Sequence, residues 1–122
     1  MTLTEKNIFI AEFMGYDKNR IVEELPIDKD GNYTTDGNKW IWVNELQYNY
    51  NWDHLMKVVE KIETLGFDVY IAGISCYICR LCENDRIVGL VCGDRTKKHY
   101  LVYDTVVNFI LWYNKNNNNE HT

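Results

Sequence analysis

Four cysteines carry the most reactive chemistry open to this chain: Cys76, Cys79, Cys82 and Cys92. The Cys76-x2-Cys79-x2-Cys82 spacing is the one that opens a bacterial iron–sulfur cluster run. Cys92 would supply a fourth thiolate, and it would equally close a tetrahedral zinc site if it faced Cys82 across a hairpin. Strand geometry opposes both. On a regular strand Cys76 and Cys82 point to one face and Cys79 to the other. The spacers Tyr77, Ile78, Arg80 and Leu81 are bulky strand formers rather than residues that wrap a metal, and no Cys-Pro follows. The four are therefore read as buried free thiols that behave as small hydrophobes. The alternative is a metal- or redox-responsive domain using Cys76, Cys79, Cys82 and Cys92. No cofactor is expected on the first reading.

Two other constellations fall short of their chemistry. Asp28-x-Asp30-x-Asn32 has the opening spacing of a calcium loop. Such a loop needs glycine at its sixth position for a sharp turn and glutamate at its twelfth for bidentate ligation. Those positions hold Tyr33 and Lys39, so the segment reads as a polar turn. Ser75, the only serine, could be drawn into a triad with His54 and Asp53, but it lacks a nucleophile-elbow glycine pattern. His99 falls in the first turn of the last expected helix and His121 in the tail, and helix-surface polar residues are the better reading. No glycine loop for phosphate and no nucleotide fingerprint is present. The chain is read as a non-enzyme.

The aromatics around residue 45 are the better functional signal. Trp40, Trp42, Tyr48, Tyr50 and Trp52 all fall on even positions, so an extended chain would line them on one face. Aromatic side chains give large contact area at small entropic cost and anchor protein interfaces. Polar Gln47, Asn49 and Asn51 flank the two tyrosines. Trp40, Trp42, Tyr48 and Tyr50 are the candidate binding residues. The competing expectation is that Trp52 and at least one of the strand tryptophans are core, and that a helix start near Asn51 breaks the alternation.

The elements that must position these residues can be read from period and punctuation. Thr2 to Met14 reads as a helix, with Thr2 and Glu5 at capping-box spacing and Gly15 as its stop. Residues 16–39 read as irregular, with turn dipeptides Asp30-Gly31 and Asp36-Gly37 and one short edge strand at Tyr33-Thr34-Thr35. Trp40-Ile41-Trp42-Val43 reads as a strand. Asn51 looks like the N-cap of a helix whose apolar stripe is Trp52, Leu55, Met56, Val59 and Ile62, closed by Gly66. Residues 67–81 read as one strand and 86–92 as a second, paired antiparallel. A last helix, capped by Thr96, runs to about Lys115 along Val102, Val106, Phe109, Ile110 and Tyr113. An asparagine-rich tail over 114–122 is expected to fray.

The chain has 122 residues and a formal charge of −5, with 46% hydrophobic residues and eight Gly plus Pro. That composition suits a folded domain and excludes collagen-like or low-complexity chains. The acidic balance, with no basic run longer than Lys97-Lys98, opposes binding to nucleic acid, which rests on basic stripes. Met1 to Lys6 lacks the basic-then-apolar pattern of a secretory signal. The longest apolar stretch, 100–113, is too short to span a bilayer, so no membrane partner is expected. A cytoplasmic protein with free thiols is the expectation.

Three segments carry a likeness to known sequences: Ile10-Ala11-Glu12-Phe13-Met14-Gly15-Tyr16, Trp52-Asp53-His54-Leu55-Met56-Lys57-Val58-Val59-Glu60-Lys61-Ile62-Glu63, and Val106-Val107-Asn108-Phe109-Ile110-Leu111-Trp112-Tyr113-Asn114. Their sequence and order resemble a group of small uncharacterised proteins of Bacteroidetes, their phages and their mobile elements. The resemblance implies a phage or mobile-element context. It implies no activity, cofactor or catalytic residue.

The expected fold is α+β: a small, mostly antiparallel sheet of about three strands with two or three helices packed on it. A single globular domain is expected over 1–113, ahead of the polar tail. The expected function is a non-enzymatic accessory role through an unidentified protein partner or through self-association.

Overall fold

The computed structural model describes residues 1–24, 29–31, 40–72, 75–80, 87–92 and 98–120, of which 72, 80, 87–92 and 117–120 are described by their backbone. The fold is α+β, and the chain forms two compact units, Met1–Gln47 and Tyr48–Thr122.

In the first unit, helix α1 spans Leu3–Phe13. Thr2 caps it: the Thr2 Oγ1 accepts from the Glu5 amide at 3.1 Å and also lies 3.1 Å from Glu5 Oε1 as a donor. The acidic side chain thus meets the threonine hydroxyl rather than the Thr2 amide. At the other end the Gly15 amide donates to Glu12 O and the Tyr16 amide to Ala11 O, each at 3.0 Å. This paired closure requires a left-handed residue, and Gly15 supplies it at φ +98°. Strands β1 (Ile21–Val22) and β2 (Ile41–Trp42) form a two-residue parallel bridge. The expected strand at 40–43 is therefore shorter than its composition suggests, because a 3₁₀ turn over Val43–Glu45 follows at once. Asn7, buried, donates from Nδ2 to Leu46 O at 3.1 Å and ties α1 to the end of that turn. The edge strand expected at 33–35 lies outside the described residues.

In the second unit, helix α2 spans Trp52–Thr64. The Asn51 Oδ1 accepts from the His54 amide at 3.2 Å, as the cap reading requires. Leu55, Val58, Val59 and Ile62 form its buried seam at helical spacing. Gly66 ends it at φ +95°. Strands β3 (Phe67–Ala72), β4 (Ser75–Arg80) and β5 (Ile87–Cys92) then form an antiparallel sheet in the order β3-β4-β5.

This corrects the reading of 67–81 as one strand. Ala72 pairs with Ser75, which leaves two residues for a reversal. The expected pairing of β4 with the segment after it holds, with a bulge where Ile78 pairs with Gly89 and Cys79 with Ile87.

Helix α3 spans Lys98–Glu120, further than the expected end near Lys115. Asparagine costs a helix only about half a kcal/mol per residue, so a helix rooted in a buried body can run through an asparagine stretch. Between 101 and 110 α3 is buried nearly all round: Leu101, Val102, Tyr103, Thr105, Val106, Val107, Phe109 and Ile110 are all buried, and Asn108 is exposed. It packs on β4 and β5, while α2 packs on β3 and against α3. Phe67 meets Phe109 edge to face at 4.9 Å. Thr105 Oγ1 lies 2.7 Å from Leu101 O and 3.3 Å from Cys76 O, so one hydroxyl proton satisfies its own helix and faces the sheet.

Phe109→Ala should remove about 3–5 kcal/mol of stability, the usual cost of truncating a fully buried phenylalanine. Asn51→Ala should remove about 1 kcal/mol through the lost cap. Urea unfolding of the two variants against the parent chain reads both.

Candidate functional site

The four aromatics expected to share a face do not stay together. The chain leaves extended geometry after Trp42 and again at the turn over residues 48–50, so the period of two is lost. Trp42 is exposed at 37% and belongs to the first unit. Trp40, in the same unit, is half-buried; its Nε1 is buried and has no hydrogen-bond partner among the described residues. Tyr48 is only 6% exposed and is core, which corrects its assignment as a surface anchor. Tyr50 is 62% exposed. Trp52, expected in the core, is 41% exposed because it occupies the first position of α2, ahead of the buried seam.

Within the second unit these residues build one local arrangement. The Tyr48 ring is buried, with the His54 ring 6.4 Å from it and edge-on. The Tyr48 carbonyl lies 3.0 Å from His99 Nε2, on the first turn of α3. That distance fixes Nε2 as the donor, since a carbonyl only accepts. The His99 ring also packs on Trp52, with centroids 4.5 Å apart and the planes inclined by 59°. One residue further along, Asn51 caps α2. The short segment carrying Tyr50 is thus held at Tyr48 by burial and by His99, and at Asn51 by the helix it caps. Tyr50 and Trp52 are its exposed aromatic groups, and Tyr100, next to His99 in sequence, is exposed as well. The signal for Trp52 was in the sequence, since an N1 residue precedes the buried stripe. Tyr100 and His99 carried no such signal.

The cysteines show no convergence where they are described. Cys76 and Cys79 are both buried, and neither is in a disulfide. They lie three residues apart on β4, paired to Ile71 and Asp68 of β3 in unbroken register, and so occupy opposite faces of the sheet. Cys76 turns toward α3. Burial pushes its thiol above the ordinary range, with the Thr105 hydroxyl partly opposing the shift. A raised thiol is mostly protonated at neutral pH, and the thiolate is the form that ligates metals and attacks disulfides. Cys79 lies on the other face with Tyr70, whose ring stacks on Tyr77 at 4.8 Å. Cys82 lies outside the described residues, and Cys92 is described by its backbone, paired to Ser75.

The residues of the catalytic drawing are placed as follows. Asp53 is exposed on α2, the His54 ring sits against Tyr48, and Ser75 opens β4. Of the calcium-like segment, Asp30 and Gly31 are described, and Gly31 at φ +80° makes a turn there; Asp28 and Asn32 lie outside the described residues. Over α1 an open groove of about 300 Å³ is lined by Ile8, Phe9, Glu5, Glu12 and Lys18. No helix among the described residues is long and apolar enough to cross a membrane. No family model, curated protein or solved structure matches the chain.

The buried Cys76 thiol sets a pH dependence. Its native value lies above the unfolded one, so its contribution to stability is full below about pH 9 and is lost as pH rises through the raised native value. Cys76→Val should therefore flatten the fall in unfolding free energy above about pH 9, measured by urea unfolding across the alkaline range. Iodoacetamide should label Cys76 slowly in the native chain at neutral pH and readily once the chain is unfolded.

Proposed function

We propose that this chain is a non-enzymatic accessory protein of a phage or other mobile element, working in the cytoplasm by contact with a protein partner or with a second copy of itself. The observation that carries the reading is Tyr50: a large aromatic side chain, 62% exposed, on a segment held at both ends. Solvent-exposed aromatics are ordinary one at a time. A pre-organised pair such as Tyr50 and Trp52 is different, because binding then costs little further ordering of side chains. Trp42, on the other unit, is a separate exposed aromatic of the same type.

The reading of the function as non-enzymatic rests on the sequence, where Ser75 lacks a nucleophile-elbow pattern and no phosphate or nucleotide motif is present. The mobile-element context rests on the three resembling segments alone. The acidic charge supports a protein rather than a nucleic acid as partner.

The test has two arms. Sedimentation velocity and native mass spectrometry of the full chain read self-association and any bound metal. A photo-crosslinking residue at position 50, with exposed Lys57 as the control position, reads capture of another protein in host cells. Tyr50→Ala should weaken whichever association is found by about tenfold or more, since a central aromatic anchor contributes about 2 kcal/mol or more, while the unfolding midpoint stays in place. Trp42→Ala should likewise leave the fold intact. Association unchanged by both substitutions, or crosslinks equal at 50 and 57, would remove the reading.

A further inference from the structure

We propose that His99 is the positioning residue of the Tyr50–Trp52 face, an imidazole strut from α3 that sets how the turn before α2 is presented; the functional part of this inference rests on the contact-surface reading above. His99 and Tyr48 are 51 residues apart in sequence, yet Nε2 lies 3.0 Å from the Tyr48 carbonyl. The same ring lies 4.5 Å from Trp52. One side chain thus meets two points of the segment, one through Nε2 and one through its ring. Buried backbone carbonyls are held by hydrogen bonds, and one such bond to this turn comes from another helix.

Imidazole is suited to this double duty. Glutamine can donate to the carbonyl but offers no aromatic face. Phenylalanine offers a face but no donor. The two contacts can therefore be separated by substitution. Release of the carbonyl should let the turn open without unfolding α2, whose cap is the independent Asn51 side chain. Wild-type Tyr50 and Trp52 are then held in one arrangement, and variants lacking the donor sample several.

Hydrogen exchange and indole NMR on the full chain test this without any partner. His99→Ala and His99→Phe should speed exchange of the amides at 49–51 by about tenfold, the scale of one lost net hydrogen bond, while the α2 and β4 amides keep their protection. His99→Gln should restore slow exchange. The Trp52 indole resonance, assigned with Trp52→Phe, should shift in His99→Gln, where the neighbouring ring is lost, and shift less in His99→Phe, where a ring remains. Unchanged exchange at 49–51 in both donor-less variants would overturn the strut. So would a uniform loss of protection through α2, α3 and the sheet in all three variants, or an indole resonance unmoved in His99→Gln. Tyr50→Ala should leave both readouts as in the parent chain, so a failure of the contact-surface reading shows in the association assay alone.

Discussion

The burial of α3 is the constraint on which the second unit depends. From Leu101 to Ile110 the helix has almost no solvent face. A helix buried this fully must be surrounded, and the sequence supplies the surroundings from both sides: the seam of α2 and one face of β4 and β5. The Phe67–Phe109 contact is the hinge of this packing, because Phe67 is the first residue of β3 and follows the glycine that ends α2. Phe67 also meets Trp112 and Tyr113 edge-on, at 5.9 and 6.5 Å. Burying a polar group here demands a partner. Thr105 meets that demand by bonding back to Leu101 and facing the Cys76 carbonyl, which registers helix on strand at the same time.

The aromatic site follows from the same packing. With the middle of α3 fixed on the sheet and α2 fixed on α3, the first turns of the two helices come together, and His99 reaches the turn that precedes α2. The imidazole, the Trp52 ring it packs on and the Asn51 cap are among the groups that set the geometry of this turn. An exposed aromatic on such a segment differs from one on a free loop, because its orientation is decided before any partner arrives. The same packing accounts for the thiols. Cys76 fills space between β4 and α3 as a small hydrophobe would, and Cys79 sits on the far face, so the spacing that looks like a ligand run is divided by the pleat of the strand.

Local rules carried much of the fold. Caps and stops at Thr2, Gly15, Asn51 and Gly66 were legible because each is decided within a few residues. The α2 seam was legible because its period is unambiguous, and the α+β class followed from the order of such elements. The reversal between β3 and β4 was not, because the apolar run from 67 to 81 continues through Gly73 with strand formers on both sides. Tyr48 and Trp52 exchanged their expected places for a related reason. Polar neighbours made Tyr48 look exposed, and helical periodicity made Trp52 look buried, whereas both are decided by the point at which the turn ends and α2 begins. The His99 strut had no sequence signal: a contact across 51 residues has no local grammar.

With His99 and the Asn51 cap in place, the turn bearing Tyr50 is held rigid before any partner binds. Backbone ¹⁵N relaxation of the isolated chain measures this directly. Order parameters for residues 49–51 close to those of α2, about 0.85, are the predicted result. Values below about 0.6 at those residues, with α2 itself rigid, would contradict it. Tyr50 would then be a mobile loop residue, and the surface would have no built geometry.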